Sequence, residues 1–138
     1  GMKIFVLGSM QFSEQMLATC KSLKEAGHEA VTSVFVQAFI GKNDQEKETI
    51  KIQQKNSEDA IRVDCAQIPK CDAVLVMNLE KHGIPGYIGG NVLIELGYAH
   101  ILDKKIFLFN PIPNISFYKT EIEAMKPTIL DGDLRKVS

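Results

Sequence analysis

The chain has 138 residues, 45% of them apolar and 24% charged, with a formal net charge of -1. That length allows one domain with its own core and leaves too little for a second. A near-neutral balance excludes the broad basic field that drives binding to nucleic-acid polymers, and no apolar run approaches the roughly 20 residues of a spanning helix.

Residues 3–7 (K-I-F-V-L) form an apolar, β-branched run ending at Gly8-Ser9, the pattern of a buried parallel strand entering a turn. Ser13 is placed to cap a helix over residues 13–26, with Met16, Leu17, Cys20 and Leu23 on one side and Gly27 as its stop. Residues 29–33 read as a second strand, and 34–40 as an apolar approach to a loop at Gly41. The stretch 43–56 is mostly Lys, Glu, Gln and Asn, a composition that suits an exposed helix or a mobile segment equally, and it carries no functional expectation. Ser57 precedes a helix in which Ile61, Cys65 and Ile68 recur at i, i+4 and i+7, closed by Pro69.

Residues 72–77 (D-A-V-L-V-M) are the clearest strand. A Gly-rich loop, a helix over 91–102, a strand over 105–109, a short helix over 117–125 and a last strand over 128–130 complete the chain. Strands alternating with helices predict an α/β fold: a doubly wound, flavodoxin-like or Rossmann-like parallel sheet of about five strands with helices on both faces. Ligands of such sheets bind beyond the carboxyl ends of the strands, which points to loops 8–12, 78–90 and 110–113.

Cys20, Cys65 and Cys71 form no C-x-x-C pair, and His28, His82 and His100 lack metal-ligand spacing, so neither disulfide nor metal is expected. No motif calls for a cofactor. The N-terminal residues lack the order of a secretory signal, so a cytoplasmic location is expected.

Glu95 is the residue that fits a purely structural role least, because Val92, Leu93, Ile94 and Leu96 surround it on an apolar helix. The helix N-terminus is the available compensation, and it would hold the carboxylate ionised as a usable nucleophile. An exposed or capping Glu is the bland alternative. Asp64 lies at the border of the Ile61–Ile68 stripe near a helix C-terminus, where its charge opposes the dipole unless it is solvated or held for use. The run G-Y-I-G-G-N, with Gly89, Gly90 and Asn91 opening the helix, can bring backbone N–H groups to an anionic or sugar oxygen, or can be a plain connection with Asn91 as cap. It has neither G-x-G-x-x-G spacing nor a Walker lysine. Gly8 and Ser9 form a turn that could likewise hold a ligand, while Tyr87 and Tyr98 are read as packing residues.

At these positions the sequence resembles the nucleoside 2-deoxyribosyltransferase family and its relatives, the 2'-deoxynucleoside 5'-phosphate N-hydrolases. The resemblance covers most of the chain. It rests on the Gly8-Ser9 turn, on Asp64 eight residues before Asp72, and above all on E-L-G-Y-A at residues 95–99 followed by D-K-K-I-F-L-F at 103–109. It implies that Glu95 is the nucleophile on the sugar anomeric carbon and that Asp64 orients the sugar and assists. It further implies a nucleoside or nucleotide as the partner, transfer of its (deoxy)ribosyl group to another base or to water, and a homo-oligomer, since family members often complete the site with a neighbouring subunit. Two positions depart from the pattern: Gly89 stands where transferases carry Asp and the phosphate-reading hydrolases Ser, and Gln11 where the nucleotide hydrolases offer Arg. A module that binds nucleotides on the same fold without chemistry is the competing reading, and an FMN carrier is a third, by analogy of fold alone.

Overall fold

Lys3–Leu7, Glu29–Thr32, Ala73–Val76, Lys105–Leu108 and Thr128–Ile129 are strands β1 to β5 of the computed structural model, which describes residues 1–138. They pair in parallel in the order β2-β1-β3-β4-β5, with Phe5 beside Val74 and Val74 beside Ile106 in the central ladders. This is the doubly wound arrangement that the alternating pattern predicts. Five helices cover it: α1 (Ser13–Glu25), α2 (Asp44–Ser57), α3 (Ala60–Cys65), α4 (Gly90–Ile101) and α5 (Lys119–Ala124). No helix is long and apolar enough to cross a membrane.

Strand side chains alternate between faces, so each central strand must supply two cores. Ile4, Val6, Ala73 and Leu75 pack with Met16, Cys20 and Leu23 of α1 on one face. Phe5, Leu7, Val74 and Val76 pack with Val92, Leu96 and Ala99 of α4 and Ile122 of α5 on the other. Burial on both sides explains why β1 and β3 read as unbroken apolar runs. Cys20 and Cys71 are buried and Cys65 half-buried, all as free thiols.

Several local expectations are revised. Ser13 is the first residue of α1 and does not cap it; a 3-10 turn over Met10–Phe12 runs directly into the helix. The capping role passes to Ser9, whose hydroxyl accepts the Gln11 N–H at 3.3 Å, while the Ser13 hydroxyl donates back to the Met10 carbonyl at 2.6 Å. The polar stretch after Gly41 is a full helix, started by a capping box between Asn43 and Glu46. It runs through Ser57, so α3 begins only after Asp59, which turns the chain at φ 50°. Aspartate tolerates that left-handed conformation better than most residues, which makes it a natural break between two helices. Ile68 and Pro69 fall in a separate 3-10 turn. Tyr98 is exposed, and with Ile94 and Ile101 it forms an apolar stripe on the outer side of α4.

The loops after β3 and β4 are locked together by Asn78, which is fully buried. Its amide donates to the carbonyls of Asn110 (2.8 Å) and Pro111 (3.2 Å) and accepts the Asn110 N–H at 2.9 Å; the Asn110 side chain returns a bond to the Asn78 carbonyl at 3.1 Å. This reciprocal pair satisfies polar groups that a buried loop would otherwise leave orphaned. Gly86 passes through the same junction at φ 68°, and a Cβ there would lie 2.5 Å from the Pro111 carbonyl oxygen. Gly86→Ala therefore combines backbone strain with a clash and is expected to cost about 1–3 kcal/mol, read as a lower urea midpoint at unchanged slope. A midpoint equal to that of the parent would mean that the junction is not rigid.

Candidate active site

The sheet changes winding direction between β1 and β3, and the loops leaving those two strands open a crevice at their carboxyl ends. A cleft of about 680 Å³, measured to its open mouth, lies there. Its floor holds Gly8 and Ser9 after β1, and one wall holds Tyr87, Gly89, Gly90 and Asn91 leading into α4. Asp64 of α3 and Glu95 of α4 line it together. The residues singled out in the sequence are thus gathered in one place, although they are scattered over nearly ninety positions of chain.

Glu95 is 8% exposed and Asp64 6%. Glu95 therefore is not the exposed glutamate of the bland reading, and Asp64 is not a solvated helix-end charge. Asp64 accepts a hydrogen bond from the Ser33 hydroxyl at 2.8 Å. That same hydroxyl accepts the Phe35 N–H at 3.2 Å, which leaves its own proton free to point at the carboxylate. Ser33 stands just past β2, and nothing in its local sequence signals the role.

Burial lifts the Asp64 carboxyl from 3.8 to about 6, against the opposing pull of Ser33. It lifts Glu95 from 4.5 to about 8, with the neighbouring Asp64 charge adding to the rise. The expectation that the helix N-terminus keeps Glu95 ionised is corrected on this point. Glu95 is the sixth residue of α4, beyond the unpaired N–H groups of the first turn, and the dipole's influence fades within that turn. Desolvation outweighs it. Both carboxyls therefore keep their protons to higher pH than ordinary carboxyls do, Glu95 more strongly than Asp64.

The Gly-rich entry to α4 does not use Asn91 as a cap. Gly89 is the N-cap residue, with no side-chain bond, and Asn91 sits one position inside the helix. Leu93 is the first residue of the turn whose N–H bonds back, to the Gly89 carbonyl at 3.0 Å, so the amides before it remain available at the cleft. A Cβ on Gly89 would come within 3.2 Å of the Tyr87 hydroxyl and 3.3 Å of its ring, so Tyr87 occupies the space that a side chain at 89 would need. Gly8 is also a close approach, with a Cβ 3.1 Å from the Met77 carbonyl oxygen. Tyr87 does more than pack: its ring meets His82 edge-on at 5.3 Å, and the Lys81 ammonium lies 5.6 Å from its centre.

The polar helix α2 gave no functional expectation, yet Lys51, Gln54 and Lys55 from it close the cleft from above. Its anchor is Lys47, a buried amine that bonds to Glu14 Oε2 at 3.0 Å and to the Gln11 carbonyl at 3.1 Å. The available signal was the i, i+4 row of Lys47, Lys51 and Lys55, which puts three lysines on one side of a helix. Gln11 itself turns to the Asp44 carbonyl at 3.5 Å and is not part of the cleft wall. No group of three or more His, Cys, Asp or Glu residues is arranged to hold a metal ion.

No family model matches the chain, and no curated protein does. Among solved structures it aligns with the CMP N-glycosidase BcmB of Clostridium botulinum at 14% identity, over 92% of this chain and 84% of that one, with a TM-score of 0.46.

The two raised carboxyls tie stability to pH. Both bind protons more tightly when folded than when unfolded, so their contribution is fully present below about pH 4 and is lost as pH rises through about 6 and about 8. Glu95→Gln removes the larger share. The variant should be more stable than the parent by about 1–3 kcal/mol at pH 9, with the gap closing towards pH 5. Thermal melts across that range showing a constant gap would mean that Glu95 is not desolvated.

Proposed function

We propose that this protein acts on the N-glycosidic bond of a nucleoside or nucleotide, with Glu95 as nucleophile and Asp64 as its partner, passing the (deoxy)ribosyl group to another base or to water. The observation that carries this reading is the pairing of two buried carboxyls, neither neutralised by a cation, in one open cleft. Burying two such groups side by side is costly, and a merely structural position would more readily hold an apolar residue. The sequence resemblance at residues 95–99 and Asp64 adds the substrate class.

The proton arrangement suits the chemistry. A Glu95 oxygen forms the bond to the anomeric carbon while the C–N bond breaks and its electron pair leaves with the base. Glu95 must shed its proton to attack, and the departing base must gain one. Asp64, ionised at rest and on the same cleft, is the group placed to take that proton and deliver it to the base nitrogen. With Glu95 at about 8, its ionisation near neutral pH remains a minor fraction of a glycosidic barrier. The resulting ester is then displaced by water or by a second base, which restores the carboxylate. Amides at the start of α4 and the Ser9 turn supply donors for sugar oxygens.

Glu95→Ala should reduce base release or base exchange by at least about a thousandfold, and mass spectrometry of the parent with a nucleotide panel should find a sugar adduct on Glu95. Because the pair must hold one proton for the departing base, kcat/KM should fall as pH drops below about 6 and again as it climbs above about 8. Loss of less than tenfold on substitution removes Glu95 from that role, and ligand-induced thermal stabilisation without any turnover would establish the binding module instead. The homo-oligomer implied by the resemblance belongs to the same proposal, with the Ile94, Tyr98 and Ile101 stripe as the surface it would cover. Light scattering of the purified protein reads it, and a monomer at all concentrations rejects it.

A further inference from the structure

Asp64 and Glu95 are mounted differently. Glu95 rides on α4, which has 12 residues and packs against the sheet. Asp64 sits on α3, which has 6 residues and no side-chain cap and follows the left-handed break at Asp59. So short a helix is marginal by itself and fixes a side chain only loosely. A carboxylate also turns easily about its last torsion, whose minima are broad. Exact placement of the Asp64 oxygens therefore needs a brace from outside the helix.

Ser33 is the group that bonds to the Asp64 side chain, its hydroxyl donating to Oδ1 at 2.8 Å. The brace is itself held from both sides. Thr32 pairs with Val6 in the sheet, and its hydroxyl donates to the Val6 carbonyl at 2.7 Å. The Phe35 N–H donates to Ser33 Oγ at 3.2 Å, and Val36 and Phe39 just beyond it are buried. A buried donor anchored in this way holds its acceptor in one direction. Asp64 Oδ2, by contrast, has no bond to the protein and is not sealed away, since every fully buried side-chain nitrogen and oxygen of the chain has a partner. Ser33, Asp64 and Glu95 also line one smaller cavity against β1, so the brace belongs to the same space as the pair.

We propose that Ser33 is a positioning residue: its hydroxyl fixes Asp64 through Oδ1 and leaves Oδ2 as the oxygen that works in the cleft. What Oδ2 does there rests on the glycosidic reading, in which it takes the Glu95 proton and passes it to the base nitrogen as the C–N bond breaks. Glu95 has no such brace and is free to move onto the anomeric carbon while Asp64 stays in place. The other ionisable groups about Asp64 are Glu95 on α4, Cys65 beside it on α3, Lys51 and Lys55 on α2, and Lys81 and Tyr87 after β3. Burial pushes its titration up and the Ser33 bond pulls it down.

The test compares Ser33→Ala, Ser33→Thr and Thr32→Val in the full chain. The Asp64 carboxyl, followed by carbon NMR in protein carrying labelled aspartate, should titrate about one pH unit higher in Ser33→Ala, because the lost bond favoured the ionised form. Ser33→Thr keeps the hydroxyl and should return the titration towards that of the parent. Ser33→Cys, a much weaker donor of similar size, replaces the alanine variant if that one does not fold. With a nucleoside or nucleotide that the parent turns over, Ser33→Ala should lower kcat about tenfold and change KM by less than about twofold. The acid limb of kcat/KM should move up together with the Asp64 titration. Thr32→Val removes a hydroxyl from the same segment and should leave both readouts as in the parent, which separates a loosened chain from a lost brace. An Asp64 titration unchanged in Ser33→Ala, or moved as far by Thr32→Val, overturns the proposal. A parental kcat in Ser33→Ala overturns it too, with the glycosidic reading intact. A shifted titration in a protein that turns over no nucleoside or nucleotide sinks that reading and leaves Ser33 as the group that holds Asp64 for another ligand.

Discussion

The structure depends on one electrostatic constraint: two carboxyl groups share a desolvated cleft with no cation beside them. Ionising both would place like charges in a poorly screened pocket, so both carboxyls hold their protons to higher pH than usual. The Ser33 hydroxyl opposes the rise at Asp64, whereas Glu95 has no such partner and is raised by burial and by the Asp64 charge. Three separate elements are needed for this balance. The residue just past β2 supplies the hydroxyl, α3 the aspartate and α4 the glutamate, and only a packed sheet can hold all three in register.

Rigidity follows from the same packing. Val92 and Leu96, on either side of Glu95 in the sequence, are buried against Phe5, Leu7, Val74 and Val76, so the glutamate rides on a helix face already committed to the sheet. The reciprocal Asn78–Asn110 bonds fix the loop that precedes that helix. A site that must hold two reluctant charges close together needs such a frame, because a loose one would relax by separating them.

The cleft divides its labour by charge. Acidic groups come from α3 and α4 on the sheet, whereas the Ser9 hydroxyl and the lysines come from the β1 turn, the β3 loop and the overlying α2. Near the start of helix α2 the buried Lys47 amine pairs with the exposed Glu14 carboxylate, and the cleft-facing lysines lie one and two turns further on. The acidic part of the cleft is therefore built into the core, and its lysines are mounted on an outer helix and a loop.

The sequence by itself determined the sheet, because strands buried on both faces must be apolar at every position and the helices between them must alternate with them in the chain; β1, β3 and β4 could be read on that ground alone. It also marked Glu95, since a charge inside V-L-I-E-L is conspicuous wherever the helix packs. Only the tertiary structure decided the state of that charge. The helix terminus visible in the sequence acts over a single turn, whereas the burial that outweighs it comes from segments remote along the chain. Asp64, ambiguous on its own helix, is buried and bonded to Ser33, which stands just past β2 and thirty-one residues earlier. Likewise Lys51, Lys55 and Lys81 are ordinary lysines in sequence, and they line one cleft only in the folded chain. Local pattern reports what each segment needs from its nearest neighbours in the chain, while the properties of a site depend on charges and surfaces that are near in space alone.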